Sequence, residues 1–313
     1  MKRKVIQIAN STQLISLPRQ WAQKYGIKKG DELNIEEDGN KIIVNTQNDV
    51  PYDDIEVDVT GLDKSSIMHT IRGFYRRGYD TIKVIFNDPL SVDYRTGETP
   101  SVLSIIHEEV NRLAAVEIIQ QKENFCIIKE ISQTGTKEFD AILRRMFILL
   151  IDASRDLASA LSTNDKILLQ TIEDKHDSIA KFAGYCLRLL NKKGYSDSKK
   201  ALIMYNIIAS IDEIADVLKY ASWRAISNKK KLSKESTELI QDIDKSVQMY
   251  YDLFYKFEIK KMHDLSQNRE KVKQKISELA KKAPDDDILI LETLAHSLEI
   301  ILHITGARLS LEH

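Results

Sequence analysis

Two pairs of carboxylates carry the spacing most able to do chemistry. Asp212 and Asp216 stand four residues apart within the stretch 211–219, and Glu173 and Asp177 repeat that spacing earlier in the chain. On an α-helix such residues lie one turn above the other. Each pair borders an apolar stripe of helical period. Met204, Ile208, Ile211, Ala215, Leu218 and Ala225 flank the later pair; Leu169, Ile172, Ile179, Ala183 and Cys186 flank the earlier one. Like charges held beside a core are unfavourable unless a cation answers them. Two antiparallel helices would bring all four carboxylates together, and hard oxygen ligands suit a divalent or ferric ion such as iron, manganese or zinc. The same pairs also suit a solvated helix edge with Lys175, Lys181 or Lys219 as partners. Spacing alone does not separate the two readings.

The helices that position these residues belong to a long proline-free stretch between Pro100 and Pro284. Helical periodicity with short polar breaks predicts helices at about 137–162, 165–192, 198–228, 233–261, 264–282 and 285–311, with Met262-His263 as one of the breaks. Six helices make two copies of a three-helix bundle, 136–228 and 232–313. The pattern Glu173-x-x-x-Asp177 followed by Asp212-x-x-x-Asp216 resembles that of PhoU, the phosphate-uptake regulators built from three-helix bundles. The resemblance implies that Glu173, Asp177, Asp212 and Asp216 bind iron or another metal. That family often has a His directly after the last Asp, where this chain has Val217.

The second copy is degenerate. Glu299 aligns with Asp216, but Ala295 aligns with Asp212. Glu292, His296, Glu299 and His303 form one stripe, suited to a transition metal or, more simply, to interhelix hydrogen bonding. His176 completes a Glu-x-x-His spacing with Glu173, yet its place on the apolar face predicts a buried, satisfied side chain.

Residues 1–48 form a different unit. Strands are expected at 4–9, 14–17, 32–36 and 41–44, with a short helix at 19–25 opened by Pro18 and stopped by Gly26. Asn10-Ser11 and Asp38-Gly39-Asn40 supply turn chemistry. So small a two-hairpin unit cannot bury a full core, and a homodimer is expected through it. Ser16-Leu17-Pro18-Arg19-Gln20-Trp21-Ala22, then Gly26-Ile27-Lys28-Lys29-Gly30-Asp31-Glu32-Leu33, resembles the AbrB/MazE swapped-hairpin DNA-binding domain, in the version found ahead of PhoU bundles in archaea. Lys2, Arg3, Lys4, Arg19, Lys24, Lys28 and Lys29 all precede the first acidic residue, Asp31. A basic patch of this kind suits phosphates of double-stranded DNA. Arg3, Lys4 and Arg19 are the candidate phosphate contacts, and Gln7, Asn10, Thr12 and Gln13 the candidate base-edge or sugar contacts. Related domains often carry arginines where this chain has Gln and Asn, which points to weak or shape-based sequence preference.

Between them, 52–132 reads as β-α-β-α-β-β, a small α/β sandwich. It shows no phosphate loop, nucleophile motif or metal spacing. Arg72, Arg76 and Arg77 read as a solvated basic helix face.

The fold class expected is therefore multidomain α+β. The 313 residues include 46 Lys and Arg against 47 Asp and Glu, a net charge of −1, which excludes a uniformly basic coat but not a local patch. The two cysteines, Cys126 and Cys186, lack metal-type spacing and suit a reducing cytoplasm. No signal-peptide core precedes Asn10, and the apolar run 146–151 is too short to span a bilayer, so a cytoplasmic protein without membrane insertion is expected. No acyl-transfer, phosphoryl-transfer or glycosidase constellation is visible, so no enzyme is expected. The expected function is a DNA-binding regulator linked to phosphate or metal status, with a protein partner in phosphate signalling. An adaptor that holds a transporter or kinase through its bundles, using the hairpins only to dimerise, is the alternative.

Overall fold

The computed structural model describes residues 2–8, 12–38, 41–46, 54–132, 138–195, 197–228 and 230–312. The chain divides into two compact units, Met1–Tyr52 and Asp53–His313.

The first unit holds two antiparallel pairs. Strands β1 (Ile6–Ile8) and β2 (Thr12–Leu14) pair with Gln7 opposite Gln13; β3 (Leu33–Asp38) and β4 (Lys41–Thr46) pair from Leu33–Thr46 to Asp38–Lys41. Helix α1 (Arg19–Lys24) separates the two pairs in the chain order. The second strand falls earlier than the expected 14–17. Pro18, with φ −61° and ψ 125°, caps α1 and leaves Ile15 to Leu17 as its approach rather than as ladder. Gly26, at φ +64°, ends the helix in the left-handed region as expected. The turns at Asn10-Ser11 and Gly39-Asn40 lie outside the described residues. None of the described residues of this unit is buried, and Val5, Ile6, Ile8, Leu14, Ile15, Ile35, Ile42 and Ile43 are exposed. Among the described residues, a single copy therefore has no core of its own.

The second unit begins with the expected β-α-β-α-β-β order: β5 (Asp54–Asp58), α2 (Lys64–Arg77), β6 (Thr81–Ile85), α3 (Val102–Asn111), β7 (Val116–Gln121) and β8 (Phe125–Glu130). The sheet runs β5-β6-β8-β7, with β5 and β6 parallel and the other pairs antiparallel. Period-two alternation sends Ile82, Val84, Cys126 and Ile128 to one face, where they pack with Ile67, Ile71 and Tyr75 of α2 and Ile105 and Ile106 of α3. Asp63 caps α2 by accepting from the Ser65 and Ser66 amides. Gly78 ends it at φ +108°, and a Cβ there would stand 2.6 Å from Lys192 Cγ, so glycine is required twice over.

Six helices follow: α4 (Phe139–Thr163), α5 (Lys166–Lys193), α6 (Ala201–Ser227), α7 (Lys234–Tyr255), α8 (Ile259–Leu279) and α9 (Asp285–Leu309). The triples α4-α5-α6 and α7-α8-α9 pack internally and join through α6 on α9 and α4 on α7, so one continuous core runs through all six. The break between α7 and α8 falls at Lys256–Glu258, not at Met262-His263. Lys261 Nζ donates to the carbonyls of Asp252 and Lys256, which satisfies the end of α7 while α8 has already begun. Helix α9 is long and apolar enough to cross a membrane by length and composition. Here it is a core helix, with Ile290, Leu291, Leu294, Leu298, Ile301 and Ile304 buried.

Helix α2 lies against α5 and is stapled to it. Buried Arg188 donates to the Tyr75 carbonyl at 2.8 Å and pairs with Glu130 at 3.2 Å; Asn191 donates to the Arg76 carbonyl at 2.7 Å; Lys192 pairs with Asp80 and Glu130. The sandwich and the helices keep separate apolar cores but cluster as one compact unit.

Candidate functional site

Glu173, Asp177, Asp212 and Asp216 all line one cleft of about 320 Å³. Its walls are α5 and α6 on one side, and α2, α3 and the loop 93–96 on the other. The i, i+4 spacing on two adjacent helices brings the four carboxylates to one place, as expected. Their charge is answered from within the protein. Arg76 of α2 donates to Asp212 at 2.7 Å, and Arg112, just past α3, pairs with Asp177 at 3.4 Å. His176 lies between two acids, its Nδ1 3.0 Å from Asp177 and its Nε2 3.0 Å from Asp216. Lys219 donates to Asp216 at 2.5 Å, and Trp223 Nε1 donates to Glu173 at 3.1 Å.

This arrangement does not fit a metal centre as it stands. Each of the four carboxylates already accepts from or pairs with Arg, His, Lys or Trp through at least one oxygen, and a cation bound at those oxygens would displace the donors. Among the described residues no group of three or more His, Cys, Asp or Glu side chains is placed to hold a metal ion. Val217, at the position where the resembled family has a His, is buried in the helical core. An imidazole reaches the acidic group from the other helix instead, through His176.

The electrostatics follow from these contacts. Burial pushes the Asp216 carboxyl up, but the hydrogen bonds from His176 and Lys219 outweigh it and hold the group well below its ordinary range. Asp177 is likewise held down: burial is overcome by His176 and Arg112. Burial pulls the His176 imidazole down, yet its bonds to Asp177 and Asp216 raise it on balance. Lys219 Nζ also lies 3.0 Å from His176 Nε2. That nitrogen therefore either carries a proton toward Asp216 or accepts one from Lys219.

The expectation that Arg72 and Arg76 form a solvated face is corrected by the structure. Lys64, Met68, Arg72 and Arg76, each four residues apart, form the stripe of α2 that faces the cleft. Arg72 makes two donor contacts to Glu109, at 2.8 and 2.7 Å, and the Glu109 side chain is fully buried. Burial raises the Glu109 carboxyl despite this partner. Arg77 alone of the three is exposed. The regular four-residue stripe was the signal in the sequence; that it meets the acidic pairs was not.

At the mouth of the cleft, Arg95 lies over Trp223, 5.6 Å from the ring centroid, and Lys219 lies 5.5 Å from the same centroid. Tyr220 packs edge-on against Trp223. In the second helical triple, Glu299 is held by Arg269 and Lys273, His303 lies 3.3 Å from Asn206, and His296 lies 3.7 Å from Glu213. His296, Glu299 and His303 of α9 are thus used in interhelix pairing.

In the first unit, Arg3, Lys4, Gln7, Thr12, Gln13 and Arg19 are all exposed, while Asn10 lies outside the described residues. The β1–β2 register sets Gln7 beside Gln13 on one face, and alternation puts Thr12 on the other with Ile6, Ile8 and Leu14. The two glutamines make a polar pair; Thr12 belongs to the apolar side.

Residues 6–56 match the family model described as antidote-toxin recognition MazE, bacterial antitoxin. No curated protein matches the chain. The matched stretch takes in the whole N-terminal hairpin unit from β1 onward and the start of β5, so the chain carries a MazE-type domain at its N-terminus, followed by a largely helical region.

Proposed function

We propose that this protein is a DNA-binding transcriptional regulator that acts as a homodimer through its MazE-type unit. The observation that carries the reading is the matched unit itself, exposed and without a buried residue among those described, together with the Lys and Arg residues that precede the first acid, Asp31. A second copy would cover the apolar side chains of β1 to β4 and double the cationic surface. Lys2, Arg3, Lys4 and Arg19 then contact phosphates, and Gln7 and Gln13 reach toward base edges. Few base-reading side chains imply modest sequence specificity. A regulator of this kind works in the compartment that holds the DNA, and it needs no catalytic centre.

The 53–313 unit is the effector half of this reading. Its cleft joins the sandwich to the helices through ion pairs, so occupancy of the cleft alters how the two are held. The link to phosphate uptake rests on the resemblance of the Glu173–Asp177 and Asp212–Asp216 pairs alone. The test is recovery of bound genomic DNA from cells, followed by fluorescence anisotropy on the recovered duplexes. Enrichment of discrete promoter fragments, with binding lost on removing residues 1–52, supports the regulator. Absence of any enriched DNA, with dimerisation intact, would favour the adaptor reading.

A further inference from the structure

The cleft holds one anion and one cation that the rest of its network leaves over. Asp177, Asp212, Asp216 and Glu109 each have an Arg, Lys or His partner, and Glu108 and Asp93 pair with Lys64. Glu173 differs: its described hydrogen bond comes from the neutral indole N–H of Trp223, and among the described residues no cation stands within ion-pair distance of it. Arg95 is the counterpart: its guanidinium rests on the Trp223 ring without a carboxylate partner among the described residues. The two therefore sit at one indole, one at its edge and one at its face, and do not pair with each other.

A half-buried carboxylate such as Glu173, left without a charged partner, binds a complementary charge more strongly than it would in open water, and the exposed Arg95 beside it offers the opposite charge. One free carboxylate and one free guanidinium, held apart by a rigid ring, select a ligand with both charges. A lone anion would meet Arg95 but also the Glu173 carboxylate. A lone cation would meet Glu173 but also Arg95 and Lys219. Beside them Trp223, Tyr220, Met68 and Leu113 offer apolar surface for a small side chain, and a cleft of about 320 Å³ suits a ligand of few heavy atoms.

We propose that the cleft is a binding site for a free α-amino acid, its ammonium on Glu173 and its carboxylate on Arg95. Glu173 belongs to α5 and Arg95 to the loop before α3, so the bound zwitterion ties the helical part to the sandwich. This deepens the effector half of the reading above but stands independently of DNA binding.

The test uses the full chain in isothermal titration and thermal melting with each of the twenty L-amino acids, with inorganic phosphate and with manganese as separate probes. The expected result is saturable binding of at least one amino acid, one per chain, with a raised melting temperature. Glu173→Gln and Arg95→Ala should each weaken it about tenfold or more, since each removes a charge-assisted contact. Both side chains lie at the cleft surface, so the ligand-free melt should stay near that of the wild type. The N-acetyl and the amide derivatives of the same amino acid should fail to bind. No binding by any amino acid overturns the proposal, as does binding indifferent to both substitutions or to both blocked derivatives. Binding of phosphate that needs Arg95 but not Glu173 makes this an anion site and also overturns it. Loss of DNA binding under residue 1–52 deletion, with amino-acid binding intact, bears on the regulator reading alone; the reverse pattern bears on this one alone.

Discussion

Asp216→Asn separates two answers to the charge problem by the sign of its effect. If the four carboxylates repel one another in metal-free protein, neutralising one should leave stability unchanged or higher. The geometry gives the opposite sign. Asp216 pairs with Lys219 and lies 3.0 Å from His176, side chains only 9% exposed, and the amide would leave Lys219, and His176 whenever it is protonated, poorly compensated. Removing one member of a fully buried pair costs about 3–5 kcal/mol. The Asp216 side chain is 42% exposed, so solvent screens part of this, and about 1–2 kcal/mol is expected. Urea unfolding of residues 53–313 in chelator at neutral pH measures it, and the melt should fall by a few degrees. The pH profile adds a second sign. Asp216 is depressed from 3.8, so its contribution is present above that value and lost as pH falls through the folded pKa. His176 is raised from 6.5, so its contribution is complete below 6.5 and lost as pH rises through its folded pKa. Asp216→Asn removes one of the two acids that raise it and should flatten the alkaline limb. Unchanged or increased stability in chelator, with an unaltered alkaline limb, refutes the ion-pair reasoning.

Three further perturbations, one in the cleft and two in the first unit, have defined outcomes. Arg72→Ala leaves the fully buried Glu109 without its partner and should cost about 3–5 kcal/mol by urea unfolding, and Glu109→Gln added to it should recover part of the loss. Because burial already raises Glu109, the Arg72→Ala deficit should shrink as pH falls toward and below its folded pKa, where the acid takes up a proton. Deleting residues 1–52 should leave a folded helical protein that sediments as a smaller species than the full chain; an unchanged assembly state counts against dimerisation through the hairpins. Arg3→Ala with Lys4→Ala and Arg19→Ala should reduce the log–log salt slope of duplex binding by about one per lost contact in each subunit, and a wild-type slope would make the patch a solubilising surface.

What the sequence disclosed follows the range over which each signal acts. Helical periodicity is local, so helices α4 to α9 came out nearly in place, and the same 3.6-residue wheel put the four carboxylates at the border of the core. His176, on the apolar face, is buried and doubly paired, as its wheel position implied. Alternation likewise disclosed β5, β6, β7 and β8. The errors lie where a distant contact decides. The α7–α8 break is held by Lys261 reaching back to two carbonyls, while Met262-His263 only looked like a polar interruption. The cation for Asp212 comes from Arg76, 136 residues earlier, and no local pattern states which helix will face which. Read alone, α2 carries a basic stripe that needs water, and α5 and α6 carry acidic edges that need a cation. Each half is unsatisfied in isolation, and that mutual need is what the fold resolves. A metal ion would meet the acidic half only, leaving Arg76 without Asp212 and Arg112 with Glu108 alone. Packing the sandwich against the helices meets both halves at once, with Arg76 and Arg112 supplying cations for Asp212 and Asp177.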